Sequence, residues 1–183
     1  MSRKQSIIPS RKQSIPSRKQ KIVSRKQSIE ITPAPRRSAR DGLVAGVIGT
    51  AVMTGAQTIY MKFTDAEASN APAEVGKRII KGLFEEDIPA GSETLLNNAM
   101  HVLYGTGWGF AYGVSRGRDS PRALRSGLTL GLVAWCASLV ELPLMKLAPP
   151  VWKYEIETLA PDVGFHVLFG VATATAFKVV NRS

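Results

Sequence analysis

Four stretches of this chain, residues 42–61, 95–114, 124–145 and 163–180, stay apolar for the length a helix needs to cross a bilayer, and little polar sequence remains to cover them. In hydrocarbon no water meets a bare backbone N–H or C=O, so a crossing segment forms a helix of roughly 20 mostly apolar residues or joins a closed barrel. Residues 42–61 carry no charge, and residues 95–114 carry only His101 as an ionisable group. Residues 124–145 contain Arg125 near the start and Glu141 near the end, and residues 163–180 contain Lys178, whose long stem can reach the interface. A water-soluble bundle could bury one such segment; four exceed what the polar remainder can cover. The expected fold is an all-α membrane protein with four transmembrane helices as two tandem helical hairpins.

The mean hydropathy of −0.01 is an average over two unlike regions. Of the 24 Lys and Arg residues, twelve lie in residues 1–41, so the net charge of +10 is concentrated in one arm. There the phrase SRKQ recurs at Ser2, Ser10, Ser17 and Ser24, with no acidic residue before Glu30 and prolines at 9, 16, 33 and 35. Such a segment cannot bury enough apolar surface to fold alone, which predicts a disordered basic arm over 1–41 and a membrane domain over 42–183. An arm of this kind attracts anionic headgroups by about 1 kcal/mol per basic residue near the surface. Ser6, Ser14 and Ser28 each follow an Arg by three residues and are candidate phosphorylation sites, where phosphate would cancel the attraction. Without aromatic residues between the charges, the arm argues against a nucleic-acid surface. An organelle presequence is a third reading of an Arg- and Ser-rich segment; the repeat and the prolines favour an arm.

Lys and Arg accumulate on the cytoplasmic side of membrane proteins. The arm, the 115–123 linker and the C-terminal end share one basic side, whereas residues 62–94 hold four basic against seven acidic residues and residues 146–162 two against three. Both termini are therefore expected in the cytoplasm of a cell whose inner or plasma membrane holds the chain. In the first outer loop, residues 72–84 read as an amphipathic helix with Val75, Ile79, Ile80, Leu83 and Phe84 on one face, suited to the interface or to capping the bundle.

The apolar segments repeat an order. GLVAG at 42–46, Met61-Lys62 and HVLYG at 101–105 are followed by GLTLG at 127–131, Met145-Lys146 and HVLFG at 166–170. Duplicated hairpins entering from the same side would be related by an axis along the membrane normal. Glycines at four-residue spacing, Gly42 and Gly46, Gly105, Gly109 and Gly113, and Gly127 and Gly131, mark faces where helix backbones approach closely, within one chain or in a homo-oligomer.

Polar residues inside the spans are the candidate ligand or proton site. At a rise of ~1.5 Å per residue, Gln57, His101, Glu141 and His166 lie roughly 5 to 10 Å below the outer ends of their spans, with Asn97 and Asn98 one turn above His101. The two histidines are the only ones in the chain. Intramembrane ionisable groups face a cavity or one another and mark ion or proton paths, but polar side chains also serve as hydrogen-bonding glue between helices; both alternatives stand. Whether His101, His166 and Glu141 hold a metal is open, since three ligands from three helices form no motif. No motif calls for a cofactor, and no nucleophile and base stand at an enzyme-like spacing. Cys136, the sole cysteine, excludes a disulfide or a thiolate cluster within one chain.

PLMKLAPPVW at 143–152, Tyr154, Glu155 and HVLFG at 166–170 resemble the YagU-like family of small bacterial inner-membrane proteins. The resemblance implies a multi-span inner-membrane protein and carries no chemistry with it. Two functions are expected to compete: a small permease or channel-like protein using the polar layer, and a membrane anchor or organiser that binds anionic lipid or a partner through its arm.

Overall fold

The structure, a computed structural model, describes residues 34–116 and 122–181. The SRKQ repeats, Ser6, Ser14 and Ser28 lie outside the described residues. Those residues form five α-helices and one short 3-10 turn: α1 Ala34–Phe63, α2 Ala71–Phe84, α3 Glu93–Arg116, α4 Ala123–Leu144, the turn Val151–Lys153, and α5 Ile156–Val180.

Two helices start earlier than the apolar pattern predicts. Helix α1 begins at Ala34 rather than 42, so the last eight residues of the expected arm are helical. Pro35 sits in the first turn, where its missing N–H costs nothing, and Ser38, fully buried, packs its carbonyl beside Gly113. Helix α5 begins at Ile156 rather than 163 and carries Pro161 inside it. That proline forfeits one hydrogen bond near the helix start and does not stop the helix. Helix α4 ends at Leu144, where Lys146 takes the left-handed conformation (φ 54°). Its N–H donates to the Pro143 carbonyl at 2.9 Å and the Leu147 N–H to the Leu142 carbonyl at 2.9 Å, the paired bonds of a Schellman stop.

Three sides of the bundle are joined by small residues. A Cβ on Gly109 would land on the backbone of Gly42 and Gly46, and one on Gly105 would strike Thr50, so α1 and α3 meet backbone to backbone. Gly127 and Gly131 meet Gly170 and its neighbours in the same way, joining α4 to α5. Gly49 against Thr173, with the fully buried Ala45 and Ala174, joins α1 to α5. Small residues give this proximity because apolar side chains gain nothing by leaving lipid, so close contact between backbones holds the helices. The fourth side differs: α3 and α4 scarcely touch through their backbones. Aromatic side chains bridge them, with Tyr112 Oη 2.7 Å from Ser126 Oγ and the Tyr112 ring set edge-on to Phe177. Tyr112, Leu130, Phe169 and Phe177, with Trp108 packed against them, fill the middle.

Helix α2 caps one end. Its Ala73 N–H, one of the donors a helix start leaves without a partner, donates to Asn97 Oδ1 on α3 at 3.0 Å. Gly76 rests on Leu96 and Met100. The docking face is thus the small-residue edge of the expected apolar face, while Ile79, Leu83 and Phe84 stay exposed.

Helices α1 (from Arg37), α4 and α5 are long and apolar enough to cross a membrane, the pattern of a multi-pass membrane protein. Their outward faces agree: Leu43, Val44, Val47 and Ile48 on α1, and Leu128, Leu132 and Val133 on α4, are exposed apolar side chains. Helix α3 has 24 residues, but its run of polar groups keeps it below the same standard of apolarity.

Candidate functional site

The polar residues expected to form one layer divide into two groups near the α2 end of the bundle. Glu141, exposed on α4, accepts a hydrogen bond from Tyr104 Oη on α3 at 2.9 Å. This pair bridges the wide α3–α4 side and faces outward. Asn98 is exposed on α3, and Gln57 is half-buried on α1; neither is hydrogen-bonded to a histidine. His101 on α3 and His166 on α5 are near enough for a charge on one to be felt at the other.

The carboxylate beside His166 is Asp162, while Glu141 is bonded to Tyr104. His166 Nδ1 lies 2.9 Å from the Asp162 carbonyl oxygen and 3.4 Å from its Oδ1. Across the helix interface, Trp135 Nε1–H on α4 donates to Asp162 Oδ2 at 2.8 Å. Tyr154, on the turn before α5, is the fourth member of the group: burial first, and then the Asp162 carboxylate, push its hydroxyl pKa up. Asp162 is thus held from two directions and is 40% exposed in its side chain, whereas His166 is 13% exposed, so solvent reaches the carboxylate more readily than the ring. Beside this cluster, His101 Nε2 is buried with no hydrogen-bond partner. A buried polar atom left unmatched costs about 1–3 kcal/mol, so its retention calls for an explanation.

A reading of spans by depth alone missed Asp162. The signal was present as an i,i+4 pair with His166, the spacing that puts two side chains on one helix face; starting the span at residue 163 left it out. The geometry also bears on the metal question. Among the described residues no group of three His, Cys, Asp or Glu side chains is placed to hold a metal ion. Glu141 is turned to Tyr104, and Trp135 occupies one oxygen of Asp162.

Two more buried polar atoms without a hydrogen-bond partner, Ser38 Oγ and Asp41 Oδ2, lie one turn apart near the start of α1, at the opposite end of the bundle. They belong to a separate region. Compared with known protein families, with characterised proteins and with solved structures, the chain matches none.

Proposed function

We propose that the chain crosses the membrane four times, with both termini cytoplasmic and the α2 end outside, and works as a small permease or channel-like protein whose outer polar cluster takes up a proton or a small solute. What supports the fourth crossing is α3's contact with α1. The three glycines Gly105, Gly109 and Gly113 lie on the backbone of residues 38–46, so a membrane that surrounds α1 surrounds α3 at the same depth. Val102, Leu103, Phe110 and Val114 point outward from α3 and are exposed, while Asn97, His101, Thr106 and Tyr112 face protein. Its average apolarity is low although these four polar residues are turned into the bundle. Tandem hairpins gain support from two matching contacts, Gly46 on Gly105 and Gly131 on Gly170. The resemblance of residues 143–170 to the YagU-like family agrees with an inner-membrane, multi-span protein.

The observation that carries the functional reading is the buried, unpartnered Nε2 of His101 beside His166. Below it the aromatic core closes the bundle, so passage would require the α3–α4 side, tied by Tyr104–Glu141 and Tyr112–Ser126, to part. Reconstitution in vesicles with an internal pH dye tests this: an imposed gradient should collapse faster than in empty vesicles, and His166→Gln should abolish the effect. Equal rates with and without protein would end the permease reading. The same filled core favours the second reading, an anchor or organiser acting through its basic arm on anionic lipid. Deleting residues 2–30 would then remove vesicle binding at low salt, and His166→Gln would leave it unchanged.

A further inference from the structure

The two histidines are unequal in what surrounds them, and that inequality defines a ligand. His166 Nδ1 faces two oxygens that can only accept when Asp162 is ionised, the Asp162 carbonyl at 2.9 Å and the Oδ1 carboxylate oxygen at 3.4 Å. Nδ1 must therefore carry the hydrogen, which leaves Nε2 of the neutral ring as the basic lone pair. His101 has no such carboxylate. The residue one turn before it, Asn97, has its Oδ1 committed to the α2 backbone. We propose that Asp162, His166 and His101 form a binding site for a single proton, taken up at Nε2 of His166 with Asp162 as fixed counter-ion and with His101 remaining neutral beside it.

The atoms balance simply. Hydronium from the outer water gives its proton to His166 Nε2 and leaves as water; the ring becomes imidazolium, retaining its Nδ1–H toward Asp162. Trp135 keeps the counter-ion in place, because its Nε1–H holds Oδ2 at 2.8 Å and leaves Oδ1 turned to the ring. The second proton is excluded by charge: two imidazolium rings near one another repel, and one carboxylate neutralises only one of them. Among the described residues Asp162 is the one carboxylate bonded to or ion-paired with His166. On α4 Glu141 meets Tyr104 of α3, on the outward-facing α3–α4 side. On α1 Tyr60 lies edge-on to Phe165. Tyr154, before α5, faces the same Asp162.

This proposal rests on the membrane reading above and specifies the ligand of its polar cluster. Because the chain has only two histidines, ¹⁵N-histidine labelling of the full chain in lipid nanodiscs gives a spectrum with two rings, assigned by His101→Gln. The expected result at neutral pH is His166 as the Nδ1–H tautomer. Acidification from about pH 8 to 5 should charge that ring alone. Asp162→Asn should keep the tautomer, since the backbone carbonyl remains, yet require about tenfold more acid to charge the ring. An Nε2–H tautomer at His166, or simultaneous charging of both rings, overturns the proposal, and the unaltered chain suffices for both measurements. The vesicle assay separates this from the permease reading: the expected spectra without proton flux would leave the proton site standing and remove the transport role, while flux with the wrong tautomer would do the reverse.

Discussion

Helices α3 and α5 carry nearly the same words, HVLYG at 101–105 and HVLFG at 166–170, and put them to different uses. Four residues before each histidine stands a side chain with an acceptor oxygen, Asn97 in one and Asp162 in the other. Asn97 turns to the start of α2 and satisfies the Ala73 N–H. Asp162 instead lies against its own histidine and receives Trp135 of α4. The aromatic residues divide in the same way. Phe169 is buried in the core at 3% exposure, whereas Tyr104, in the matching position, is 37% exposed and gives its hydroxyl to Glu141. A phrase on a helix therefore fixes depth and spacing, and the neighbour it meets decides its chemistry.

The strongest way to break the comparison is through the glycines that both helices share. Gly109→Leu would drive a side chain into the backbone of Gly42 and Gly46, with no flexible atom to yield. Gly170→Leu would do the same against Gly127 and Gly131. Each should cost about 3 kcal/mol or more, the upper range for overpacking. Gly107, on the open face of α3 with nothing within 4 Å, is the control and should change stability by less than about 0.5 kcal/mol on the same substitution. Unfolding in detergent reads all three. Loss confined to one of the two seams would show that the paired helices are not held alike.

Next comes the acceptor before each histidine. Asp162→Ala strands the Trp135 N–H and takes the carboxylate from His166, whose Nδ1–H keeps the backbone carbonyl, for an expected loss of about 1–3 kcal/mol. Asn97→Ala removes the acceptor that completes the start of α2 and should cost about 1 kcal/mol, as loss of a helix cap does. Its effect should be local. Amide exchange at Ala73 should speed up while α4 and α5 stay protected, and a change spread over all helices would contradict the assignment. The exchange Asn97→Asp sharpens the contrast further, because a carboxylate there would give His101 a counter-ion of its own while still accepting from Ala73. Two ring charges, rather than one, should then appear on acidification in the ¹⁵N spectrum.

How much of this was legible from the amino acids follows from what each signal measures. Glycines spaced by four gave the contact faces, because that spacing places them on one side of a helix whatever lies opposite; Gly42, Gly46, Gly105, Gly109, Gly127 and Gly131 all sit in seams. Depth was read from the same spacing, and His101 and His166 lie near enough for a charge on one to be felt at the other. Rotation about the helix axis was not. Glu141 lies at a depth similar to that of the histidines but on the lateral face, and only the positions of α3 and α4 reveal that Tyr104 reaches it first. Helix starts were the weakest signal. The expected starts at 42 and 163 fall inside longer helices, with Pro35 in the first turn of α1 and Pro161 six residues into α5, and Asp162 lay outside the expected span. For α3, average hydropathy hides a division, since Asn97, His101, Thr106 and Tyr112 are turned toward protein while Val102, Leu103, Phe110 and Val114 point outward.

The smallest effect tests the aromatic half of the comparison. Tyr104→Phe rewrites HVLYG as HVLFG and removes only the hydroxyl that meets Glu141 at 2.9 Å. Polar contacts between membrane helices average about 0.6 kcal/mol, because side chains released from one another find other partners near the interface. A loss of that size is expected, well below that of the glycine substitutions. Glu141→Gln keeps an acceptor for the tyrosine and should cost less still. Combining the two in a double-mutant cycle isolates the pair from the rest of the α3–α4 side, where Tyr112 and Ser126 hold independently. A coupling near 0.6 kcal/mol would make Tyr104–Glu141 a weak tie across the widest side of the bundle, as a gate between α3 and α4 requires. Coupling of several kcal/mol would mean that this side is locked, and the parting on which passage through the bundle depends would then be too costly to occur.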